Sequence, residues 1–259
     1  MPEAVTSTPF LNIPETVSPE AQAYLRTLTD PELNPPFPEP DDIASWTKMQ
    51  AFVEADALPK AQPLIDRYAP TIRERSLNGV PVIDVTPRGW TEGDGVAVYT
   101  HGGAHTLYSA KSMSGRAALF VDDTGLRTIV VDYTLAPQAK FDKITDQVVA
   151  AVKGLLSEGH RLKDLIIYGD SSGGGIAAST ILKMRDQGMG LPAVAILVSP
   201  WTDITKSGDT EFTLRNPNRT TSMKSIPLRR LARTPIRKTR RIPTPRPFTA
   251  TIRRAFPQP

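Results

Sequence analysis

A serine flanked by glycines is the residue of this chain best suited to covalent chemistry. Residues 169–173 read Gly-Asp-Ser-Ser-Gly and follow an apolar run, Leu-Ile-Ile-Tyr, at residues 165–168. The pattern Gly-x-Ser-x-Gly after a buried strand predicts a sharp strand-to-helix turn that lifts the central hydroxyl clear of the backbone. Glycines flank such a serine because a side chain would clash in so tight a turn. Ser171 is therefore the candidate nucleophile, and the pattern indicates attack on an ester carbonyl.

A second glycine motif lies upstream of this serine. His101, Gly102 and Gly103 follow another apolar run at residues 96–100. A His-Gly-Gly loop in this setting can direct backbone N–H groups at the negative oxygen that forms when a carbonyl is attacked. We expect the amides of Gly102, Gly103 and Ser172 to form this oxyanion hole. His101 itself is expected to be structural, since its ring can fix the loop.

Two further segments complete a recognisable set of motifs. They are Val-Val-Asp-Tyr-Thr-Leu-Ala-Pro at residues 130–137 and Ser-Pro-Trp-Thr-Asp at residues 199–203. The four motifs, in this order, resemble the hormone-sensitive-lipase-like group of α/β-hydrolases, which includes bacterial acetyl esterases and carboxylesterases. The resemblance extends over about residues 18–218. It implies an α/β-hydrolase fold, a mostly parallel sheet flanked by helices, with an N-terminal helical cap.

The resemblance also implies a reaction and supporting residues. The expected reaction is hydrolysis of short-chain acyl esters or small lactones through an acyl-enzyme on Ser171. Asp132 and Tyr133 would support the oxyanion loop, and Asp170 would be a hydrogen-bonding scaffold residue within the elbow. No cofactor and no metal is expected, and the partner is a small-molecule ester.

The histidine that should activate Ser171 is not evident. In this family the catalytic residues follow the chain order serine, acid, histidine. The three histidines are His101, His105 and His160, and all of them precede Ser171. His160 should lie at the opposite edge of the sheet, which leaves His105 as the alternative base, and Asp203 comes one step too early for the acid. The acid and the base therefore stay unassigned, and we expect impaired activity.

Hydrophobic periodicity predicts a parallel sheet with helices on both faces. Short apolar runs predict strands at residues 96–100, 127–131, 165–168 and 194–198. Helical patterns separate them near residues 112–121, 142–156 and 174–187. Continuous apolar strands of this kind are typical of a sheet that is buried on both sides.

The N-terminal part of the chain predicts helices and then a hairpin. Ser18 and Pro19 suit the start of a helix over residues 19–27, and a second helix is expected over about residues 41–54. The alternating segment 71–85 contains Asn-Gly, a strong hairpin signal. This segment would supply the antiparallel pair with which the sheet opens.

Charge divides the chain into an acidic body and a basic tail. The formal net charge is +4, but residues 219–259 hold 12 Lys and Arg and no Asp or Glu, which leaves 19 basic and 27 acidic residues before them. We predict an N-terminal cap or arm (1–40), an incomplete α/β-hydrolase core (41–218) and a basic Pro/Arg-rich tail (219–259). Such a tail is expected to be disordered. A frameshift that replaces the last strands of the fold would also explain it.

Composition limits the cellular compartments and the binding partners that we expect for this chain. The chain has no cysteine, which excludes disulfides and thiolate metal sites. It shows no signal-peptide pattern and no apolar run of membrane-spanning length, so a cytoplasmic location is expected. Nucleic acid is not expected as a partner, and the oligomeric state stays open. Two alternatives remain: a non-catalytic or defective family member, and a binder of nucleic acid or anionic surfaces through the tail.

Overall fold

The computed structural model describes residues 13–28, 36–91, 93 and 95–204. Two helices come first, α1 (Pro19–Thr27) and α2 (Ile43–Tyr68), and a hairpin of β1 (Thr71–Leu77) and β2 (Val80–Thr86) follows. Strands then alternate with helices: β3 (Val96–Thr100), α3 (Ser114–Thr124), β4 (Arg127–Val131), α4 (Phe141–Ser157), β5 (Leu165–Asp170), α5 (Ser172–Asp186) and β6 (Val194–Val198). The predictions for the basic tail and for missing final strands concern residues that lie outside this description.

The six strands form one mixed sheet in the order β1-β2-β4-β3-β5-β6. β1 and β2 are antiparallel, β2 is antiparallel to β4, and the remaining neighbours are parallel. The predicted opening hairpin and the predicted parallel strands are thus confirmed. Thr100 is level with Gly169, and Asp170 is level with Val198. The carboxyl ends of β3, β5 and β6 therefore meet at one edge, and so do the loops that follow them.

Helices cover both faces of the sheet because the strands are apolar on both sides. On β3, Val96 and Val98 belong to the core formed with α4 and α5, whereas Ala97 and Tyr99 belong to the core formed with α3. Four apolar side chains at helical spacing on α4 are buried in the first of these cores: Ile144, Val148, Val152 and Leu155. Each such side chain stabilises the fold by roughly 1.5–3 kcal/mol through its burial.

The second helix is longer than the sequence suggested. It was expected to end near residue 54, but it continues to Tyr68 through Pro59 and Pro63. A proline removes a backbone hydrogen bond from a helix interior, which is why the sequence pattern favours an earlier end. Packing overrides that preference, because Ala61 is buried where Gly115 of α3 has no side chain. A Cβ at Gly115 would lie 2.8 Å from the Ala61 carbonyl oxygen. Neither α2 nor any other helix of the described residues has the length and apolar character needed to cross a membrane.

β6 is an outer strand of the described sheet, and its apolar side chains are exposed. Val194, Ile196, Leu197 and Val198 are between 36% and 52% accessible. An apolar strand at the border of a sheet is prone to intermolecular pairing.

Candidate active site

Ser171 lies on a strained turn between β5 and α5. Its φ and ψ are 53° and −124°, a conformation that a residue with a side chain keeps only where the surrounding structure holds it. The Ser171 N–H donates to the Val198 carbonyl at 3.0 Å, and its carbonyl accepts from the Trp201 N–H at 2.7 Å. Ser171 is exposed, whereas the adjacent Ser172 is fully buried. The turn therefore leaves the serine of the Gly-x-Ser-x-Gly motif accessible at the carboxyl edge of the sheet.

Glycine is required at position 173 because the end of β3 lies against the elbow. A Cβ at Gly173 would lie 2.0 Å from the Thr100 carbonyl oxygen and 2.4 Å from that of His101. The Thr100 hydroxyl also donates to the Gly173 carbonyl at 2.8 Å. This close approach brings the loop that begins at His101 to the start of α5.

The loop after β3 contacts the elbow directly at Gly102. A Cβ at Gly102 would lie 3.3 Å from the Ser171 Cβ and 2.8 Å from Oδ2 of Asp170. The Gly102 N–H donates to Oδ1 of Asp170 at 3.2 Å. Of the three amides expected in the oxyanion hole, that of Gly102 therefore already has an acceptor. Among the described residues, none accepts a hydrogen bond from the Gly103 or Ser172 amide.

Ala104 is a residue to which the sequence analysis gave no role. It has a positive φ of 55°, and its amide has no acceptor in the described part of the chain. The N–H of the next residue, His105, donates to the Ser172 hydroxyl at 3.2 Å. This bond holds the loop from Gly103 to His105 against the first turn of α5. The signal for Ala104 was its place directly after the two glycines.

Asp170 connects the elbow to β3, to the glycine loop and to α3. Besides the Gly102 N–H, its carboxylate accepts from the Tyr99 hydroxyl at 2.6 Å and from Nη1 of Arg116 at 2.9 Å. Burial, followed by the charge of Asp170, raises the pKa of Tyr99, so the phenol keeps its proton and donates. The sequence analysis expected a scaffold role for Asp170 but did not find Arg116, because 54 residues separate the two in the chain.

His101 and Tyr133 form a buried pair behind the loop. Their rings stack with centroids 4.4 Å apart, and the Tyr133 hydroxyl donates to the His101 carbonyl at 2.7 Å. Burial lowers the pKa of His101, so its ring is neutral and Nδ1–H donates to the Gly102 carbonyl at 2.7 Å. Asp132 accepts from the Ala110 N–H at 2.9 Å, which fixes the segment that leads into α3. These contacts hold the loop in place and keep the His101 ring away from solvent.

The other two histidines lie at opposite edges of the sheet. His160 precedes β5 and lies at the amino end of that strand, whereas Ser171 follows its carboxyl end. His105 lies on the elbow side, where it is half-buried and its ring centroid is 5.9 Å from that of Trp201. Burial, with a smaller effect of His101, lowers the pKa of His105 to about 4. Within the described ranges no group forms a hydrogen bond with the His105 imidazole.

The described residues assemble neither a complete triad nor a metal centre. Asp203 lies just beyond β6, and its backbone carbonyl accepts from the Trp201 indole N–H at 3.0 Å. In the part of the chain that the structure describes, no group of three or more His, Cys, Asp or Glu side chains could hold a metal ion.

An apolar cluster borders the site on the side of α2. Its members are the buried Trp46 and Ala136 with Phe37, Met49, Ala104 and Trp201 packed against them. The side chain of Gln50 donates to the carbonyls of Thr106 and Ala136, each at 3.0 Å, and so attaches α2 to the loop after β3. Ala104 belongs to the glycine loop, and the backbone N–H of Trp201 is hydrogen-bonded to the Ser171 carbonyl. The cluster therefore reaches both sides of the elbow.

Comparisons with known proteins identify the family to which this fold belongs. The family model of the alpha/beta hydrolase fold matches residues 97–255. LipR of Mycobacterium tuberculosis, whose name assigns it to the acetyl-hydrolases, is 37% identical over 129 residues, which cover 50% of this chain and 42% of LipR. An acetyl-hydrolase of Streptomyces hygroscopicus is 32% identical over 116 residues, 45% of this chain and 39% of that protein. The matched part thus spans about two fifths of the length of these curated relatives.

Solved structures show the same fold. An esterase of the bacterial hormone-sensitive lipase family matches with a TM-score of 0.54 at 24% identity, over 63% of this chain and 64% of its own. Esterase E25 matches with a TM-score of 0.68 at 21% identity, over 78% and 63%. A double-substituted M3 mutant of esterase E40 matches with a TM-score of 0.60 at 27% identity, over 68% and 57%. With its family model covering more than half of its length, the chain belongs to the alpha/beta hydrolase fold family.

Proposed function

We propose that this chain is a serine carboxylesterase of short-chain acyl esters, with small lactones as an alternative substrate of the same chemistry. The observation that carries the proposal is the accessible Ser171, which lies on a strained turn that two backbone hydrogen bonds hold in place. Its Oγ attacks the ester carbonyl carbon, the C–O bond to the alcohol breaks, and the alcohol leaves with a proton. Water then attacks the acyl-Ser171 ester, which releases the acid and restores the hydroxyl.

The oxyanion would be held by a set of amides that differs from the expected one. We assign it to Gly103, Ala104 and Ser172, because the Gly102 amide is used by Asp170. The positive amino end of α5 favours negative charge at the same point. In related chemistry, removal of one such donor lowers kcat by about 10²–10³. Gly102 then serves as the spacer that lets the loop approach the elbow.

A short acyl group fits the surroundings and the relatives. The cluster around Trp46 borders the elbow with bulky apolar side chains and offers no described cation for a charged acyl chain. The two relatives named acetyl-hydrolases favour an acetyl or similarly short group. A hydrophobic pocket distinguishes neighbouring chain lengths by roughly 1–3 kcal/mol per methylene, so acetate and butyrate esters should be told apart.

Turnover is proposed to be slow because Ser171 has no assigned base. His105 is the histidine on the elbow side, and a pKa of about 4 makes its imidazole a weak proton acceptor. Without a base the Ser171 proton has no ready acceptor, so attack by the hydroxyl on the ester carbonyl is slow. The division into cap, core and tail, the frameshift and the cytoplasmic location stay predictions.

The test is kcat/KM on p-nitrophenyl acetate for the full chain and three variants. Ser171→Ala should abolish the residual rate. His105→Ala should leave it unchanged, and so should His160→Ala, the matched control at the other edge of the sheet. A rate that Ser171→Ala does not change overturns the proposal. A rate lost in both Ser171→Ala and His105→Ala, but kept in His160→Ala, would assign His105 as the base.

A further inference from the structure

A cleft of about 530 Å³ lies at the sheet edge away from Ser171. It is lined by β1, the end of β2, the start of β4 and the loop at residues 87–90. Val96 of β3 is level with Arg127 of β4 and with Leu165, the first residue of β5. Ser171 follows the other end of β5, about 17 Å further along the strand. The cleft is therefore separate from the candidate active site.

The described residues that line the cleft include three arginines and one acid. The acid, Asp84, accepts from Nε and Nη2 of Arg127 at 2.9 and 2.6 Å and from Nη1 of Arg75 at 2.8 Å. Arg75 also pairs with Glu158. Arg73 lies opposite Asp84 across the two strands, but no acid of the described residues forms an ion pair with it. Among the described residues that line the cleft, positive charges thus outnumber negative ones.

The ion network holds two of the arginines in fixed positions. The side chains of Asp84 and Arg127 are only 7% and 12% exposed. A guanidinium has five N–H donors, and Arg127 uses two of them on Asp84. Residues 1–218 contain 19 Lys and Arg against 27 Asp and Glu, so the cluster of arginines lies in a part of the chain whose net charge is negative. Arginines that are fixed, with donors to spare, are suited to bind phosphate or carboxylate oxygens.

An aromatic ring stands beside these arginines. The N–H of Trp90 donates to the Pro87 carbonyl at 3.1 Å, and Gly89 between them has a φ of 72°, so the loop turns back at this point. The turn makes the half-buried Trp90 part of the lining. An indole face can stack on a planar ring, and a volume of this size is that of a small-ligand site.

From these observations we propose that the cleft binds a small organic phosphate with a planar ring, a ligand of nucleoside monophosphate type. Arg73 supplies the main charge contact to the phosphate, Arg75 and Arg127 supply further donors, and Trp90 stacks on the ring. The site is distinct from the esterase site and does not depend on Ser171.

The experiment is calorimetric titration of the full chain with adenosine 5′-monophosphate, with adenosine and with inorganic phosphate. The monophosphate should bind more tightly than either part. Arg73→Ala should weaken its binding about tenfold or more, because hydrogen bonds to charged groups are lost. Trp90→Leu should reduce its affinity toward that of inorganic phosphate. Arg185→Ala, an exposed arginine of α5, removes the same charge elsewhere and should have no effect.

The variant pair separates this cleft from unspecific binding. All variants keep the 12 basic residues of 219–259, so any binding by that segment is the same in each. Arg73 is exposed and has no described ion-pair partner, so thermal unfolding should show that Arg73→Ala folds like the parent chain. Equal binding by Arg73→Ala and Arg185→Ala overturns the proposal. So does an affinity for adenosine equal to that for the monophosphate, or no binding at millimolar ligand.

Discussion

The hydroxyl of Tyr133 is expected to stabilise the fold more than that of Tyr168, although both tyrosines are buried. Tyr133 is 3% exposed, and its hydroxyl donates to the His101 carbonyl at 2.7 Å. Tyr133→Phe leaves that buried carbonyl without its donor, which costs about 1–3 kcal/mol. Tyr168 is 7% exposed, and its hydroxyl lies near that of Thr128, but within the described residues it has no hydrogen-bond partner. Tyr168→Phe removes a polar group that gains nothing from burial, so its effect should lie within about 0.5 kcal/mol or be stabilising.

Urea unfolding followed by circular dichroism measures this difference. The two variants lose the same atom, so their transitions should have similar slopes and different midpoints. Tyr133→Phe should shift the midpoint to lower urea, and Tyr168→Phe should leave it in place or raise it. Equal losses in the two variants, or a larger loss in Tyr168→Phe, would refute the claim that the bond to His101 holds the loop.

Three further outcomes follow from the same contacts. Asp84→Asn should destabilise the chain by about 3–5 kcal/mol, because it leaves the Arg127 charge buried without its carboxylate; a loss below about 1 kcal/mol in thermal or urea unfolding would contradict this. Burial by itself would raise the pKa of Asp84, but its arginine partners outweigh burial and lower it, so this stability is present above about pH 4 and is lost as pH falls through the lowered pKa. His105 has a pKa of about 4 against an ordinary value of 6.5, so between these pH values the unfolded chain binds a proton that the folded chain does not. The free energy of unfolding should therefore fall by up to about 3 kcal/mol as the pH is lowered from 6.5 to 4. His105→Gln should flatten that part of the stability–pH curve, and an unchanged slope would show that His105 is not responsible. Gly102→Ala should lower the residual esterase rate roughly 10²-fold, because the new methyl group moves the loop away from the elbow. Gly93→Ala is the control and should not change the rate, since the nearest atom to a Cβ at Gly93 is 3.8 Å away. Equal rates in the two variants would refute the packing argument.

Much of the sheet could be predicted because its signals are local. The apolar runs at residues 96–100 and 127–131 coincide with β3 and β4, and Asn78-Gly79 forms the turn of the opening hairpin. The end of α2 could not be predicted in this way. Its continuation through Pro59 and Pro63 depends on packing against Gly115 of α3, which no local pattern contains.

In the candidate site, too, the features encoded by local motifs could be predicted and the contacts between distant segments could not. The elbow and the glycine loop were found from sequence because each motif encodes a close approach of backbones that only glycine permits, as at Gly173. The use of the Gly102 amide by Asp170, and the tie from Asp170 to Arg116, are contacts between distant segments. The ion network around Asp84 went unnoticed for the same reason: its members come from β1, β2 and β4 and share no motif.

Covalent labelling of Ser171 tests the central claim most directly. The full chain is mixed with p-nitrophenyl acetate at neutral pH and quenched in acid at short times, and its peptides are analysed by mass spectrometry. The proposed chemistry predicts one acetyl group on the peptide that contains Ser171, accompanied by release of p-nitrophenol, and no such adduct in Ser171→Ala. Release of p-nitrophenol at the same rate in Ser171→Ala, or acetylation that is confined to lysines in both proteins, would contradict the assignment of Ser171 as the nucleophile.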